Sequence, residues 1–193
     1  MLNHALDAIV VGGSAGAIEV LGTILPELPR DARVPVVVVV HLPPRRASLL
    51  VEIFGPRCAV PVREPEDKQP LAPGIWFAPP DYHLLIERER TFALSIDEPV
   101  RFSRPSIDVL FESASDAFGP ALCAVVLTGA NDDGAAGVAR VKRAGGLVLV
   151  QDPASADSPE MPRAAIRNAP HDLVADPIGL ARVLRDLSRR TPS

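Results

Sequence analysis

The chain has 193 residues, a formal net charge of −4, 47% hydrophobic residues and 23% charged residues. These values favour one packed domain over 1–193, and without a basic cluster neither nucleic acid nor an anionic membrane is an expected partner. Two cysteines are too few for a disulfide framework, and the lack of a leader peptide or a long apolar stretch predicts a cytoplasmic protein with no membrane insertion.

Near-continuous β-branched runs, typical of parallel strands that are buried on both faces, recur along the chain. They lie at 7–12, 34–40, 121–129, 145–151 and 171–176. Helical patterns follow Gly16 and Gly134, between strands. This alternation predicts an α/β fold, a three-layer, doubly wound and mainly parallel sheet.

The middle of the chain has a different pattern. Residues 74–79 and 83–97 alternate apolar and polar side chains around a charged turn, which predicts an antiparallel hairpin at an edge of the sheet or appended to it. Ser106 then precedes apolar residues at helical spacing, so we expect it to cap the start of a helix.

Residues with candidate catalytic side chains follow three of the predicted strands. Ser14 comes after the first strand, His41 after the second, and Asp132 and Asp133 after a later one. Ligands of open parallel sheets bind at the carboxyl ends of the strands, so these residues could form a Ser-His-Asp triad. Each also has a structural interpretation, as a helix cap or a strand-end residue bonded to the backbone, and the pattern leaves the choice of aspartate open.

The segment around Ser14 matches G-x-S-x-G, a weakly specific pattern for an exposed nucleophile. The chain order serine, histidine, aspartate excludes an ordinary α/β-hydrolase, in which the acid precedes the histidine. The glycine spacing does not fit a dinucleotide site, and we expect neither a cofactor nor a metal. Cys58 has no neighbouring histidine and His83 enters the predicted hairpin, so both are expected to be structural.

Together these motifs resemble the catalytic domain of chemotaxis protein-glutamate methylesterases, the CheB family. Six segments carry the resemblance in the same order, from the serine segment to the closing strand and loop. They are 10–21, 37–44, 64–86, 104–115, 125–138 and 144–166. The resemblance implies a carboxylic ester hydrolase that removes γ-glutamyl methyl esters from chemoreceptor cytoplasmic helices and can deamidate receptor glutamines.

Position by position, the resemblance implies that Ser14 is the nucleophile and His41 the general base and acid. It selects Asp133 to orient His41, because the aspartate of the family directly precedes a glycine. The oxyanion is expected to be held by main-chain amides, those of Ala15 and Ala130. Methylated receptor helices are the implied partners, together with a separate regulatory protein.

Two features depart from the family pattern. Ala130 and Asn131 stand where methionine and glycine are usual, which bears on substrate fit. Members commonly carry an N-terminal receiver domain, whereas the first strand here is predicted within ten residues of Met1, so we expect either a stand-alone enzyme or a separated catalytic part. Two alternatives stay open: a non-catalytic docking module of the same fold, and an esterase for small-molecule esters.

Overall fold

The structure is a computed structural model that describes residues 5–41 and 48–189. Within these residues, nine strands form two sheets. In chain order they are β1 (Ala8–Gly13), β2 (Val36–Val40), β3 (Val62–Arg63), β4 (Ile75–Phe77), β5 (His83–Ile86), β6 (Phe92–Ser95), β7 (Leu122–Val126), β8 (Leu147–Gln151) and β9 (Leu173–Ala175). The main sheet has the order β3-β4-β2-β1-β7-β8-β9 and all its pairs are parallel, while β5 and β6 pair antiparallel.

Helices cover both faces of the main sheet. In chain order they are α1 (Ala17–Ile24), α2 (Leu50–Phe54), α3 (Ile107–Phe118), α4 (Ala135–Arg143), α5 (Glu160–Asn168) and α6 (Pro177–Leu187). One apolar core joins α1, α2 and α6 to one face, and a second joins α3, α4, α5 and the β5–β6 hairpin to the other. The predicted doubly wound α/β fold is confirmed, because strands and helices alternate and the helices lie on both faces.

The prediction for 74–79 was wrong. Ile75, Trp76 and Phe77 form β4, which pairs parallel with β2 inside the main sheet, and all three side chains are buried. Only the later part of the predicted hairpin, in β5 and β6, is antiparallel. Three residues are too few to distinguish alternation from a strand that is buried on both faces.

The start of α3 agrees with the sequence prediction. Ser106 has an extended backbone, and its hydroxyl accepts a hydrogen bond from the amide of Val109. This is the contact that an N-cap serine makes with the third residue of its helix. Among the described helices, none is long and apolar enough to cross a bilayer.

Candidate active site

Ser14 and His41 follow neighbouring strands in register. Gly13 of β1 is paired with Val40 of β2, so the next residue of each strand lies at the same sheet edge. The amide of His41 donates to the carbonyl of Gly13 at 3.2 Å. Because adjacent strands are about 4.8 Å apart, this pairing places the backbones of Ser14 and His41 side by side at the carboxyl ends of the sheet.

A cavity of about 730 Å³ opens at this edge, with Ser14 and His41 in its wall. The remaining wall comes from β2, the exposed side of α1 and the turn after α2. Its other described residues are Ala15, Gly16, Ile18, Glu19, Gly22, Thr23, Val40 and Arg57. Ala130 is not among the described residues that line this cavity. The cavity therefore has room for a ligand beside Ser14 and His41.

His41 reaches Asp133 across the sheet edge. Its Nε2 lies 2.8 Å from Oδ2 of Asp133, and the carboxylate is fully buried whereas the imidazole is partly exposed. The other ring nitrogen, Nδ1, lies 3.5 Å from the hydroxyl of Ser103. A carboxylate only accepts hydrogen bonds, so His41 in its neutral form carries its proton on Nε2. Nδ1 is then free to accept a proton.

Asp133 is held by the start of α3 as well as by His41. Its Oδ2 accepts from the amide of Ile107 at 2.7 Å, and its Oδ1 accepts from the hydroxyl of Ser106 at 2.9 Å and the amide of Asp108 at 3.0 Å. Burial alone would raise the pKa of Asp133. The hydrogen bonds from His41 and from the two amides outweigh burial and lower it. The carboxylate is therefore stabilised in its charged form.

Two glycines let α3 approach this site. A Cβ on Gly12 would lie 2.3 Å from Cγ2 of Ile107, and one on Gly134 would lie 2.8 Å from the same atom. Gly134 also has a φ of +94°, in the left-handed region that side chains rarely adopt. The first residue of α3 thus fits against β1 and against the residue after Asp133 only because both neighbours are glycines.

Asp132 has a different environment from Asp133. Its carboxylate is about half exposed and pairs with the guanidinium of Arg101, which also lies 3.2 Å from Asp108. The structure therefore brings Asp133, and not its neighbour, to His41. Gly134, which follows Asp133, is the N-cap residue of α4.

Thr128 supports the turn that carries Ser14. Its carbonyl accepts from the amide of Ser14 at 2.9 Å, and its hydroxyl donates to the carbonyl of Ala15 at the same distance. The amides of Ala15 and Ala130 donate no hydrogen bond within the described part of the chain. Of the two residues predicted to hold the oxyanion, Ala15 lies in the cavity wall, whereas Ala130 lies on the loop after β7.

Several residues of this site were not predicted as such. Ser106 was expected only to cap a helix, and nothing in its neighbourhood along the chain indicates a contact 27 residues away. Thr128 ends an apolar run, a position from which a polar contact could have been inferred. Arg101 and Ser103 lie in a segment without a clear pattern, and the sequence offered no signal for either.

The structural interpretation of His83 and of the cysteines agrees with their surroundings. His83 is buried, and its hydrogen-bond partners among the described residues are backbone groups only. Burial raises the pKa of both the Cys58 and the Cys123 thiol, which disfavours the reactive thiolate. Within 5–41 and 48–189, no three His, Cys, Asp or Glu side chains are grouped as metal ligands would be.

Comparison with known protein families identifies the family to which this chain belongs. The model of the family described as CheB methylesterase matches residues 9–184, nearly the whole chain. The chain belongs to the CheB methylesterase family. The match includes every residue of the candidate site, from Ser14 to Asp133.

Relatives within the CheB family differ in length. A Leptospira interrogans protein, provisionally named protein-glutamate methylesterase/protein-glutamine glutaminase, is 47% identical over 169 residues, which are 87% of this chain and 88% of that protein. A Trichodesmium erythraeum protein-glutamate methylesterase/protein-glutamine glutaminase is 37% identical over 80% of this chain but only 45% of its own length. The chain thus spans most of one relative and about half of the other.

The structure of this chain also matches a solved structure of the CheB family. The crystal structure of the Thermotoga maritima CheB methylesterase catalytic domain superimposes with a TM-score of 0.89 at 29% identity, covering 95% of this chain and 99% of that one. The predicted resemblance is therefore confirmed for both family and fold.

The loop that departs from the usual CheB pattern, at Ala130 and Asn131, contains a local side-chain hydrogen bond. The Asn131 side-chain oxygen accepts from the amide of Asp133 at 3.2 Å, and the backbone of Asn131 is not in the left-handed region. Asparagine commonly bonds the backbone two residues ahead in this way. Asn131 therefore stabilises the turn before Asp133 without the conformational freedom of glycine. The histidine segment of the resemblance continues into 42–44, which lie outside the described residues.

Proposed function

We propose that this CheB-family chain hydrolyses γ-glutamyl methyl esters on the cytoplasmic helices of chemoreceptors and can deamidate glutamines at the same positions. Ser14 is the nucleophile, His41 the general base and acid, and Asp133 the residue that orients His41. The observation that carries this proposal is the pair of His41 and Asp133, joined at 2.8 Å beside the cavity that Ser14 lines. A partly exposed histidine held by a fully buried carboxylate next to a serine is suited to acyl transfer.

In the first half of the reaction, the hydroxyl oxygen of Ser14 attacks the ester carbonyl carbon and its proton passes to Nδ1 of His41. Asp133 stabilises the imidazolium through Nε2. Ser14 Oγ has no hydrogen bond to His41 in this structure, and such contacts commonly tighten only when substrate binds. His41 then returns the proton to the leaving oxygen, so methanol departs and a glutamyl ester of Ser14 remains.

In the second half, His41 removes a proton from water, and the resulting hydroxide attacks the acyl group. Collapse of the intermediate returns the proton to Ser14 and releases the glutamate side chain. Both steps build negative charge on the carbonyl oxygen. The amides of Ala15 and Ala130 have no other acceptor within the described residues and are proposed to stabilise that charge. With a glutamine substrate, the same sequence releases ammonia.

The decisive experiment uses the purified protein and receptor membranes labelled on the methyl group. We expect release of labelled methanol by the wild-type protein and at most background release by Ser14→Ala. Ser115→Ala is the matched control, because Ser115 is a buried serine whose hydroxyl donates to the carbonyl of Arg140 and contacts no residue of the proposed triad. Equal methanol release from Ser14→Ala and the wild type would contradict the proposal.

A second measurement identifies the reacting serine. A serine-directed phosphonate should label the wild-type protein on the peptide that contains Ser14, and His41→Ala should prevent labelling. Label on Ser103, the other hydroxyl near His41, would reassign the nucleophile. Receptor binding without any labelling or methanol release would favour the docking module, and turnover of small esters that receptor peptides fail to inhibit would favour a small-molecule esterase.

The remaining proposals concern the setting of the reaction. We propose that 1–193 acts as one catalytic domain, in the cytoplasm where receptor helices are accessible, and that a separate protein regulates it. The two cores on either side of one sheet support the single domain. Limited proteolysis should leave a resistant fragment that contains all of β1 to α6 if the domain proposal is correct.

A further inference from the structure

The carboxylate of Asp133 has a second side-chain partner besides His41. Within the described residues, Ser106 is the one other side chain that hydrogen-bonds it, through a donation to Oδ1 at 2.9 Å. Each carboxylate oxygen therefore has one side-chain donor and one amide donor. Oδ2 accepts from His41 and Ile107, and Oδ1 accepts from Ser106 and Asp108. This pattern fixes the rotation of the carboxylate about its own axis.

The direction in which the Ser106 hydroxyl donates is also fixed. Its oxygen accepts from the amide of Val109, the capping contact at the start of α3, so its single proton is left for Asp133. The Ser106 main chain is held by His83, because the Ser106 amide donates to Nδ1 of His83 at 3.2 Å. Nε2 of His83 lies 3.1 Å from the carbonyl of Glu98 and donates to it. His83 is thus a neutral, buried link behind Ser106.

We propose that Ser106 is a positioning residue of the Ser14–His41–Asp133 reaction, and that His83 holds its main chain in place. The inference rests on the proposed function. Ser106 touches no substrate, and it acts by keeping Oδ2 of Asp133 directed at Nε2 of His41. Without its hydroxyl, Oδ1 would keep only the amide of Asp108, so the carboxylate would be held less firmly in the orientation that directs Oδ2 at His41.

A purely structural role for Ser106 makes different predictions. If the hydroxyl only caps α3, its loss lowers stability but leaves the environment of Asp133 unchanged. Glycine and threonine separate the two roles, because they are similar as N-cap residues but only threonine carries a hydroxyl. Ser106→Thr therefore keeps both the cap and the donor, whereas Ser106→Gly keeps a tolerable helix start and loses the donor.

The experiment compares Ser106→Ala, Ser106→Gly and Ser106→Thr with Ser115→Ala, the buried serine of α3 that does not contact Asp133. Rates are measured with receptor methyl esters, and the Asp133 carboxyl is titrated by carbon-13 NMR. We expect kcat to fall about 10- to 100-fold in the alanine and glycine variants with KM within about twofold of wild type. Ser106→Thr and Ser115→Ala should stay within about twofold of wild type in both constants.

The titration supplies a readout that does not depend on turnover. Loss of a donor to the charged form should raise the pKa of Asp133 in Ser106→Gly but not in Ser106→Thr. If the alanine variant does not fold, the glycine and threonine variants decide the question. An unchanged kcat and an unchanged Asp133 titration in Ser106→Gly would overturn the inference while leaving the proposed function intact. An inactive wild-type protein would instead contradict the proposed function.

Discussion

His41 contacts Asp133 through Nε2, the ring nitrogen farther from its own backbone, at a distance of 2.8 Å. Ser14 and His41 follow adjacent strands in register, so their main chains lie side by side at the edge of the sheet. Asp133 comes from the loop after β7, beyond β1, and is met by the far end of the ring. The contact through Nε2 leaves Nδ1, the nitrogen nearer the His41 backbone, for the Ser14 hydroxyl in the proposed reaction.

Asp133→Asn should lower kcat by about 10³- to 10⁴-fold with little effect on KM. An asparagine amide can donate to Nε2, which would place the histidine proton on Nδ1 and prevent that nitrogen from accepting the Ser14 proton. Asp132→Asn is the matched control, since Asp132 is half exposed and pairs with Arg101. Steady-state hydrolysis of receptor methyl esters provides the measurement. Comparable losses in both variants would contradict the assignment of Asp133.

Stability should fall in acid partly through Asp133. Its pKa is lowered in the folded state, so the folded protein binds fewer protons than the unfolded chain as the pH falls below the ordinary value of 3.8. The resulting stabilisation is complete well above pH 4 and is lost as the pH falls through the lowered pKa. We expect Asp133→Asn to be less stable than wild type by about 1–3 kcal/mol at pH 7, with a smaller difference at pH 3, in urea unfolding. A difference that grew in acid would contradict this sign.

Gly12 and Ile107 should be energetically coupled. A Cβ on Gly12 would lie 2.3 Å from Cγ2 of Ile107, so Gly12→Ala should destabilise the protein by about 1–3 kcal/mol through overpacking. Ile107→Ala should cost about 2–5 kcal/mol because it leaves a cavity. The double variant should be more stable than the sum of the two losses implies, since the new methyl group occupies the vacated space. Chemical unfolding of all four proteins measures the coupling, and strict additivity would refute the contact.

The turn at Arg101 and Phe102 should be improved by glycine. Val100 and Ser103 exchange two backbone hydrogen bonds, and both residues between them have positive φ, 49° and 63°. Such two-residue turns favour asparagine and glycine, whereas the Phe102 side chain is fully exposed and gains nothing from packing. We expect Phe102→Gly to raise stability by about 0.5–1 kcal/mol, because a side chain in the left-handed region costs about 1–2 kcal/mol.

Ile178→Gly is the control for that change. Ile178 is also an exposed large apolar residue, but it lies in α6. Glycine is unfavourable in a helix, so this variant should lose about 0.5–1 kcal/mol. Thermal unfolding of the two variants should therefore shift the midpoint in opposite directions, and a shift of the same sign would rule out backbone strain at Phe102 as the cause.

The sequence predicted the central strands because their signal is local. Runs such as 34–40 are long enough for burial on both faces to appear as continuous β-branched residues, and their order with the helices determines the sheet. Residues 75–77 were misassigned and the two residues of β3 were not predicted, because such short strands have no measurable periodicity. β4 pairs with β2 and β3 pairs with β4, and both placements depend on long-range pairing.

In the candidate site, too, the sequence predicted the residues that have a local signal and not the contacts that depend on long-range packing. Ser14 and His41 could be inferred from strand ends, since parallel pairing brings those ends together. Asp132 and Asp133 follow the same strand and are equivalent by pattern, so only the family resemblance separated them. The contacts of Asp133 with the start of α3 span about 25 residues of chain and depend on the absence of a side chain at Gly12. No local pattern contains that information.

The Asp133–Gly134 peptide has a consequence for the chemical ageing of the protein. Among aspartyl peptides, Asp-Gly is the one at which the following backbone nitrogen most readily attacks the side chain, forming a succinimide that opens to isoaspartate. Here the attacked carboxylate is fully buried and held by four hydrogen bonds. We therefore expect isomerisation to be slow while the fold is intact and fast once the chain unfolds. The contacts that orient His41 thus also preserve the covalent backbone at Asp133 during long storage.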